Sequence, residues 1–383
     1  MSSIKTENQS KSANIIIVGG GVIGLSIARE LALRGVRDIV LLERGEPGKE
    51  ASWAAGGILA PQVEADCADD FFKLARASRD MYPAFAEALL VETNIDVELD
   101  RTGTLYVGFS EQEEDEMKRR FAWQQREGLR VEFLNGDQAR QLEPNLSPDV
   151  RCALRFPDDW QVNNRRLVEA LVAANEKFGV RLMTNCEVTS LRVGGGMVTG
   201  VHSSAGLIEA PAIVLAAGAW ASRIESLATS LPEIEPVRGQ MLCFKPEPQF
   251  ARHVIYSSRG YLVPRRDGRL LAGSTSEHAG FDKRVTSEGI DSIKRTAFEI
   301  APALRDLPVI DSWAGFRPRA SDDLPVLGAS EEIEGLFYAT GHYRNGILLA
   351  PVTAKMIADA IVTGITDSGM ATFTHGRFAL YFV

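Results

Sequence analysis

Asn14-Ile15-Ile16-Ile17-Val18-Gly19-Gly20-Gly21-Val22-Ile23-Gly24 is the stretch on which the reading of this chain turns. Residues 14–18 are a short, continuously apolar, β-branched run, the pattern of a strand buried on both faces of a parallel sheet. From Val22 to Leu33 apolar residues recur at helical spacing, and Asp38 to Leu42 returns as a second buried strand closing on Glu43. That order is one βαβ unit. Gly19-x-Gly21-x-x-Gly24 sits where strand meets helix and is answered by Glu43, 19 positions beyond Gly24. The glycines permit a tight turn and close backbone approach, the free N–H groups of the helix start meet a pyrophosphate, and Glu43 can accept from ribose hydroxyls. A glycine turn that only packs tightly is the plainer alternative; strand, turn, helix and acid together favour dinucleotide binding.

The rest of the chain is read outward from this unit. With 383 residues there is room for two ordinary domains, and 45% apolar content supports a real core. The net charge of −9 is spread out, with no Lys/Arg block of the kind that tracks phosphates, so a nucleic-acid partner is not expected. Cys67, Cys152, Cys186 and Cys243 stand far apart, without C-x-x-C or metal-ligand spacing, which fits a reduced, cytoplasmic protein with no metal. Residues 1–12 read as a flexible leader, and no run reaches the ~18 apolar residues of a membrane span.

Periodicity predicts a long helix over Cys67–Glu92 interrupted at Pro83, a strand pair in Val97–Phe109, a charged surface helix over Glu111–Glu127 and an amphipathic one over Arg165–Phe178. Val180–Met183, Val188–Val193, Val198–His202 and Ile213–Ala216 read as strands, some forming a β-meander inserted into the nucleotide-binding domain. Strand signals continue from Pro236 to Gly273. A helix over Ser287–Ile300, strands at Ile310–Phe316 and Leu336–Thr340, and a last helix over Ile347–Val362 follow. No Pro/Ser-rich linker divides the chain, which argues for discontinuous domains.

The fingerprint alone does not separate FAD from NAD. Three further segments resemble motifs of the D-amino acid oxidase superfamily of flavoproteins: Ala51-Ser52-Trp53-Ala54-Ala55-Gly56-Gly57-Ile58-Leu59, Val214-Leu215-Ala216-Ala217-Gly218-Ala219-Trp220, and Tyr338-Ala339-Thr340-Gly341-His342-Tyr343-Arg344-Asn345-Gly346-Ile347-Leu348-Leu349-Ala350-Pro351. The string from Arg344 to Pro351 resembles the ThiO-type glycine oxidases within it. The resemblance implies FAD, contacted by Gly19, Gly21, Val22, Ile23 and Gly24, by Glu43 and Arg44, by Ser52, Ala54, Ala55, Gly56 and Gly57, by Val188, Ala217, Gly218 and Trp220, and by Arg317, His342, Arg344, Asn345, Gly346, Ile347 and Leu348. A helix start at Gly346–Ile347 would stabilise negative charge on a reduced flavin. In related sarcosine oxidases a cysteine attaches FAD; Arg319 to Gly328 contains none, so a non-covalent cofactor is expected. Trp220 serves equally well as a packing aromatic.

A flavin that oxidises an amino acid needs an anchor for the substrate carboxylate, and arginine's planar fork matches it bidentately. Arg317, in Trp313-Ala314-Gly315-Phe316-Arg317-Pro318, ends an apolar strand where an unpaired guanidinium would be costly. The matching family segment carries the carboxylate-binding arginine; a structural ion pair with Asp322 or Asp323 is the competing account. Tyr261, in Gly260-Tyr261-Leu262-Val263-Pro264, resembles the tyrosine that helps hold that carboxylate, and Arg344 is the third substrate-site candidate. Ile58 stands where several glycine oxidases have Met, which bears on pocket width. The five histidines lie near no Ser or Cys nucleophile motif, and no general base stands out.

The expected fold is α/β: a doubly wound, Rossmann-like FAD-binding domain from 13–82, 152–224 and 325–365, with a discontinuous mixed-sheet α+β substrate domain from 83–151 and 225–324. The activity implied is oxidative deamination of glycine, with sarcosine and small D-amino acids, by O2 to glyoxylate, ammonia and H2O2, in a homo-oligomer such as the tetramers of related enzymes. In that family the imine feeds thiamine thiazole synthesis. A dehydrogenase of the same fold that passes electrons to a quinone, and a non-catalytic flavin-binding subunit, are the rivals.

Overall fold

The computed structural model describes residues 12–226, 232–365 and 368–381. Its six-stranded sheet runs in the order Val326–Ala329, Leu336–Thr340, Ile213–Leu215, β1 (Ile15–Val18), β2 (Ile39–Leu42), Arg181–Met183. All neighbours pair parallel except the first two. Every residue of β1 is buried because both faces are covered. Ile15 and Ile17 pack with α1 (Val22–Leu33) and the helices Asp70–Thr93, Asn164–Lys177 and Gly346–Thr363. Ile16 and Val18 pack under the antiparallel meander Val188–Gly194, Met197–Ser203, Gly206–Glu209.

An eight-stranded mixed sheet forms the second layer, in the order Val309–Arg319, Glu235–Phe244, Leu270–Gly273, Gly260–Pro264, Val254–Ser257, Thr104–Gly108, Cys152–Phe156, Glu132–Asn135. Side chains alternate between its faces with period two. Leu242, Phe244, Ile255 and Leu262 pack on the helix Ser287–Ile300, whereas Met241, Tyr256, Tyr261 and Trp313 turn the other way, toward Ala54 and Ile58. That second face looks at the ends of β1 and its neighbours, so the two layers enclose a cavity at the carboxyl ends of the parallel strands.

Several expectations change. The helix Asp70–Thr93 runs through Pro83 without interruption. An interior proline costs about 3 kcal/mol, but burial continues on both sides of it: Ser78 and Tyr82 donate to the carbonyls of Leu348 and Ile347, and beyond the proline Glu92 pairs with Arg29. Val97–Phe109 holds one strand, Thr104–Gly108, because Glu98 and Gly103 take positive φ (56° and 109°) and leave only a bridge between Asp100 and Gln161. Cys152–Phe156 completes the ladder beside Thr104–Gly108, so the segment expected in the FAD-binding layer from 152 enters it only after this strand. Residues 1–11 of the expected leader lie outside the described residues; Ser12 bridges Glu209.

The last helix, Gly346–Thr363, is 18 residues long and apolar enough to cross a membrane, a run that the sequence reading did not count. It is instead a core helix: most of it is buried against α1 and Asp70–Thr93, and its charges Lys355 and Asp359 pair at 2.7 Å.

The tightest junction joins β1 to α1, where a Cβ on Gly24 would lie 2.0 Å from the Gly19 carbonyl oxygen. Backbone cannot yield as a side chain does, so Gly24→Ala is expected to cost about 1–3 kcal/mol, read as a lowered Tm; an unchanged Tm would mean that the strand–helix approach relaxes freely.

Candidate active site

The cavity between the layers has a volume of about 390 Å³. Apart from Gly24 and Leu348, which lie behind its wall, every residue named above for cofactor or substrate lines it. At one end is the glycine turn. Gly19 has φ +111°, and a Cβ there would lie 2.3 Å from the Ala216 carbonyl oxygen. Gly21 caps α1 without a side-chain bond, so the helix start stays open; Ser52 Oγ accepts from the Val22 N–H at 2.9 Å. Glu43 is held by the N–H groups of Gly20 and Gly45 at 2.8 and 2.9 Å, which fixes its carboxylate at the tip of β2.

The last helix also starts on the cavity, at Gly346, and its cap residue Asn345 makes no side-chain cap bond. Two positive helix ends therefore converge on one space. His342, just before that start, turns its ring into the core, with Nε2 3.0 Å from Thr353 Oγ1, and burial pushes it down to about 3. It is neutral and contributes wall rather than charge. Trp220 lines the cavity and packs against Phe281 and Phe316, with the Arg44 guanidinium 3.8 Å from its ring centre.

At the other end lies Arg317. Its Nη1 donates to the Thr275 carbonyl at 3.0 Å and its Nη2 to Ser274 Oγ at 2.6 Å. The ion pair considered for it does not form: Asp323 is taken by Arg319 at 2.6 Å and Asp322 by Arg377 at 2.7 Å. Among the described residues Arg317 has no carboxylate partner. The guanidinium lies across Gly239, whose Cβ would stand 2.3 Å from Nη1, so glycine there is what lets the fork lie flat. The Tyr261 hydroxyl donates to Met241 Sδ at 3.4 Å, and its ring packs 5.4 Å from that of Tyr256.

Arg344 differs from Arg317. It pairs with Glu64 at 3.1 Å, and that carboxylate lifts its pKa further. Glu64 also accepts from the Tyr256 hydroxyl at 3.3 Å, and burial raises Tyr256 well above its ordinary range. Sequence reasoning missed Glu64, Tyr256, Gly239, Ser274 and Thr275. A hairpin reading of 254–264 that turns at Ser258-Arg259 could have set Tyr256 opposite Tyr261 and so on its face; nothing in the sequence around Glu64 distinguishes it from a surface acid.

The cavity suits FAD. Glycines that would clash if they carried a Cβ line its narrow end, two uncapped helix starts face it, and an acid stands ready for ribose hydroxyls. The described residues contain no His/Cys/Asp/Glu group that could hold a metal, and the four cysteines are free.

Residues 14–360 match the family model described as DAO, FAD dependent oxidoreductase. The chain is 37% identical to the glycine oxidase of Pseudomonas putida over 355 residues, 92% of this chain and 95% of that one. It is 38% identical over 378 residues to the bifunctional protein ThiO/ThiG of Trichormus variabilis, covering 95% of this chain and 55% of that protein. The crystal structure of glycine oxidase from Geobacillus kaustophilus superposes with a TM-score of 0.91 at 34% identity, covering 95% of this chain and 98% of that one.

The buried imidazole gives a pH test. His342 is held far below its ordinary value of 6.5, so unfolding lets it take a proton once the pH drops below that value. The stability it supplies is complete above pH 6.5 and is lost as the pH falls toward 3. His342→Gln is expected to flatten the fall of Tm across that range, and a profile parallel to that of the parent would refute the assignment.

Proposed function

This chain belongs to the DAO family of FAD-dependent oxidoreductases, and we propose that it oxidises glycine to the imine that hydrolyses to glyoxylate and ammonia, with O2 as electron acceptor. The observation that carries the reading is Arg317: a guanidinium lining the cavity, as Tyr261 also does, without a carboxylate of its own among the described residues and laid flat across Gly239. Bound FAD supplies the two-electron acceptor for the substrate hydride and returns those electrons to O2 as H2O2.

The chain's part is to bind and orient. Arg317 takes the substrate carboxylate bidentately, with Ser274 and the Thr275 carbonyl fixing the fork. The Tyr261 hydroxyl, whose bond to the Met241 sulfur is weak, turns readily to the same carboxylate. Ile58, Met241 and Tyr256 crowd the remaining space, which favours glycine, sarcosine and small D-amino acids over bulky ones. Arg344 is spoken for by Glu64 and narrows the wall rather than serving as a second clamp. The two helix starts favour negative charge on the cofactor. The imine serving thiamine thiazole synthesis, assembly as a homo-oligomer and cytoplasmic residence go with this reading.

The direct test offers glycine, sarcosine, D-alanine and D-proline to the yellow protein, following flavin bleaching in a sealed anaerobic cuvette and H2O2 in air. Bleaching with peroxide is expected. Bleaching without peroxide would move the protein to the dehydrogenases, and no bleaching would leave a flavin-binding subunit.

Arg317→Ala should keep its flavin spectrum while kcat/KM for glycine falls roughly a thousandfold, about 4 kcal/mol for removing one partner of a buried charged contact. Turnover at the parent's KM would reject the clamp.

A further inference from the structure

Among the described residues four arginines are buried: Arg29, Arg79, Arg238 and Arg265. Three have a carboxylate, Arg29 with Glu92 at 2.5 Å, Arg79 with Asp80 at 2.8 Å, and Arg238 with Glu277. Arg265 has none. Its Nη2 donates to the Gly56 carbonyl and to Asn164 Oδ1 at 2.8 and 2.9 Å, and its Nη1 to the Val162 carbonyl and Gln161 Oε1 at 2.8 and 3.2 Å. No carboxylate touches it: burial pushes the guanidinium down to about 10, and the charges that act on it from further away oppose one another, Arg269 and Arg165 lowering it and Glu98 and Asp267 raising it. A full charge in such a place is costly when no carboxylate is in contact with it.

The position indicates where that anion forms. Arg265 lies directly behind the cavity wall: a Cβ on Gly57 would stand 3.1 Å from its Nη2. On the cavity side the same wall runs to the clamp, since a Cβ on Gly56 would lie 3.5 Å from the Tyr261 ring. The pyrophosphate end, where Ser52 meets Val22, is five residues earlier in the segment. We propose that Arg265 is the counter-charge built in for the reduced cofactor, acting across the Gly56–Gly57 backbone to make the bound flavin easier to reduce.

This rests on the FAD-oxidase reading. Glycine first gives its ammonium proton to solvent. Breaking the Cα–H bond then carries the hydrogen nucleus and its electron pair to the cofactor, which gains one negative charge, while the substrate becomes the protonated imine. O2 then takes the two electrons and that one hydrogen and, with one proton from solvent, leaves as H2O2. A positive charge fixed in a low-dielectric wall favours the charged, reduced side of that cycle. Arg265 touches no reacting atom and serves by its field.

The test compares the two-electron reduction potential of the holoenzyme, titrated against redox dyes without substrate, in Gln161→Glu, Arg265→Gln and Arg265→Lys. Gln161→Glu sets a carboxylate against Nη1 and empties no volume, so it serves even if Arg265→Gln does not fold. Both neutralising variants are expected to shift the oxidised/reduced equilibrium at least tenfold toward oxidised, which is about 30 mV for a two-electron couple. Arg265→Lys should stay within threefold of the parent. Asp100→Asn, which weakens the 3.4 Å Gln161–Asp100 contact and the bonds from Thr102 to the same carboxylate without touching Arg265, should leave the potential in place. An unchanged potential in Gln161→Glu overturns the proposal, as does a Lys variant shifted as far as the Gln variant. So does a loss of FAD affinity with the potential intact, because the charge would then serve the pyrophosphate. Because no substrate is present, failure of glycine to bleach the flavin would strike the functional reading alone.

Discussion

Two helices begin on the same cavity with no capping bond from the cap residue's own side chain, α1 after Gly21 and the last helix after Asn345. Each start carries N–H groups that no turn of its own helix can satisfy and a partial positive charge that falls off within a turn. Ser52 answers one of them. The rest of the site follows from this: the parallel order of β1, Ile213–Leu215 and Leu336–Thr340 brings both starts to one edge of one sheet, where an anionic cofactor can meet them together.

The second layer completes the site by deciding which charges stay unpaired. Over most of the molecule acids and bases neutralise one another, and the chain carries a formal charge of −9. At the clamp end of the cavity two cations stand outside this pairing. Arg317 meets only a carbonyl and a hydroxyl, and Arg265 only neutral acceptors, while the nearby aspartates 322 and 323 are engaged by other arginines. An acidic protein thus keeps two guanidinium groups free of carboxylate contact near the place where a carboxylate is proposed to dock, and low-dielectric walls concentrate their field. Arg344 marks the limit of this region, because Glu64 reaches it and cancels its charge.

Legibility in the sequence tracks how local the determining physics is. β1, α1 and β2 were readable because period, glycine spacing and the terminal Glu43 lie within one short segment. The meander strands and the surface helix Glu111–Arg126, with Ser110 and Glu113 as its capping box, were readable for the same reason. Pro83 misled because a local penalty was outweighed by packing against a helix more than two hundred residues away, at the Leu348 and Ile347 carbonyls. Val97–Phe109 misled because alternation mimicked a strand pair where positive φ at Glu98 and Gly103 breaks the ladder.

By itself the sequence determined the βαβ unit, the glycine turn between β1 and α1 and the arginine that follows a run of apolar residues near the end of a strand, since backbone conformation and periodicity are fixed by near neighbours. Only the tertiary structure decided how the charges pair. Glu64 and Arg344 are 280 positions apart, and Arg265 and Gly56 are 209. The Coulomb interaction depends on distance and dielectric in space, neither of which is written along the chain. That is why Arg317 could be singled out from sequence, whereas its freedom from Asp322 and Asp323, the pairing of Arg344 and the unpaired charge of Arg265 required the fold.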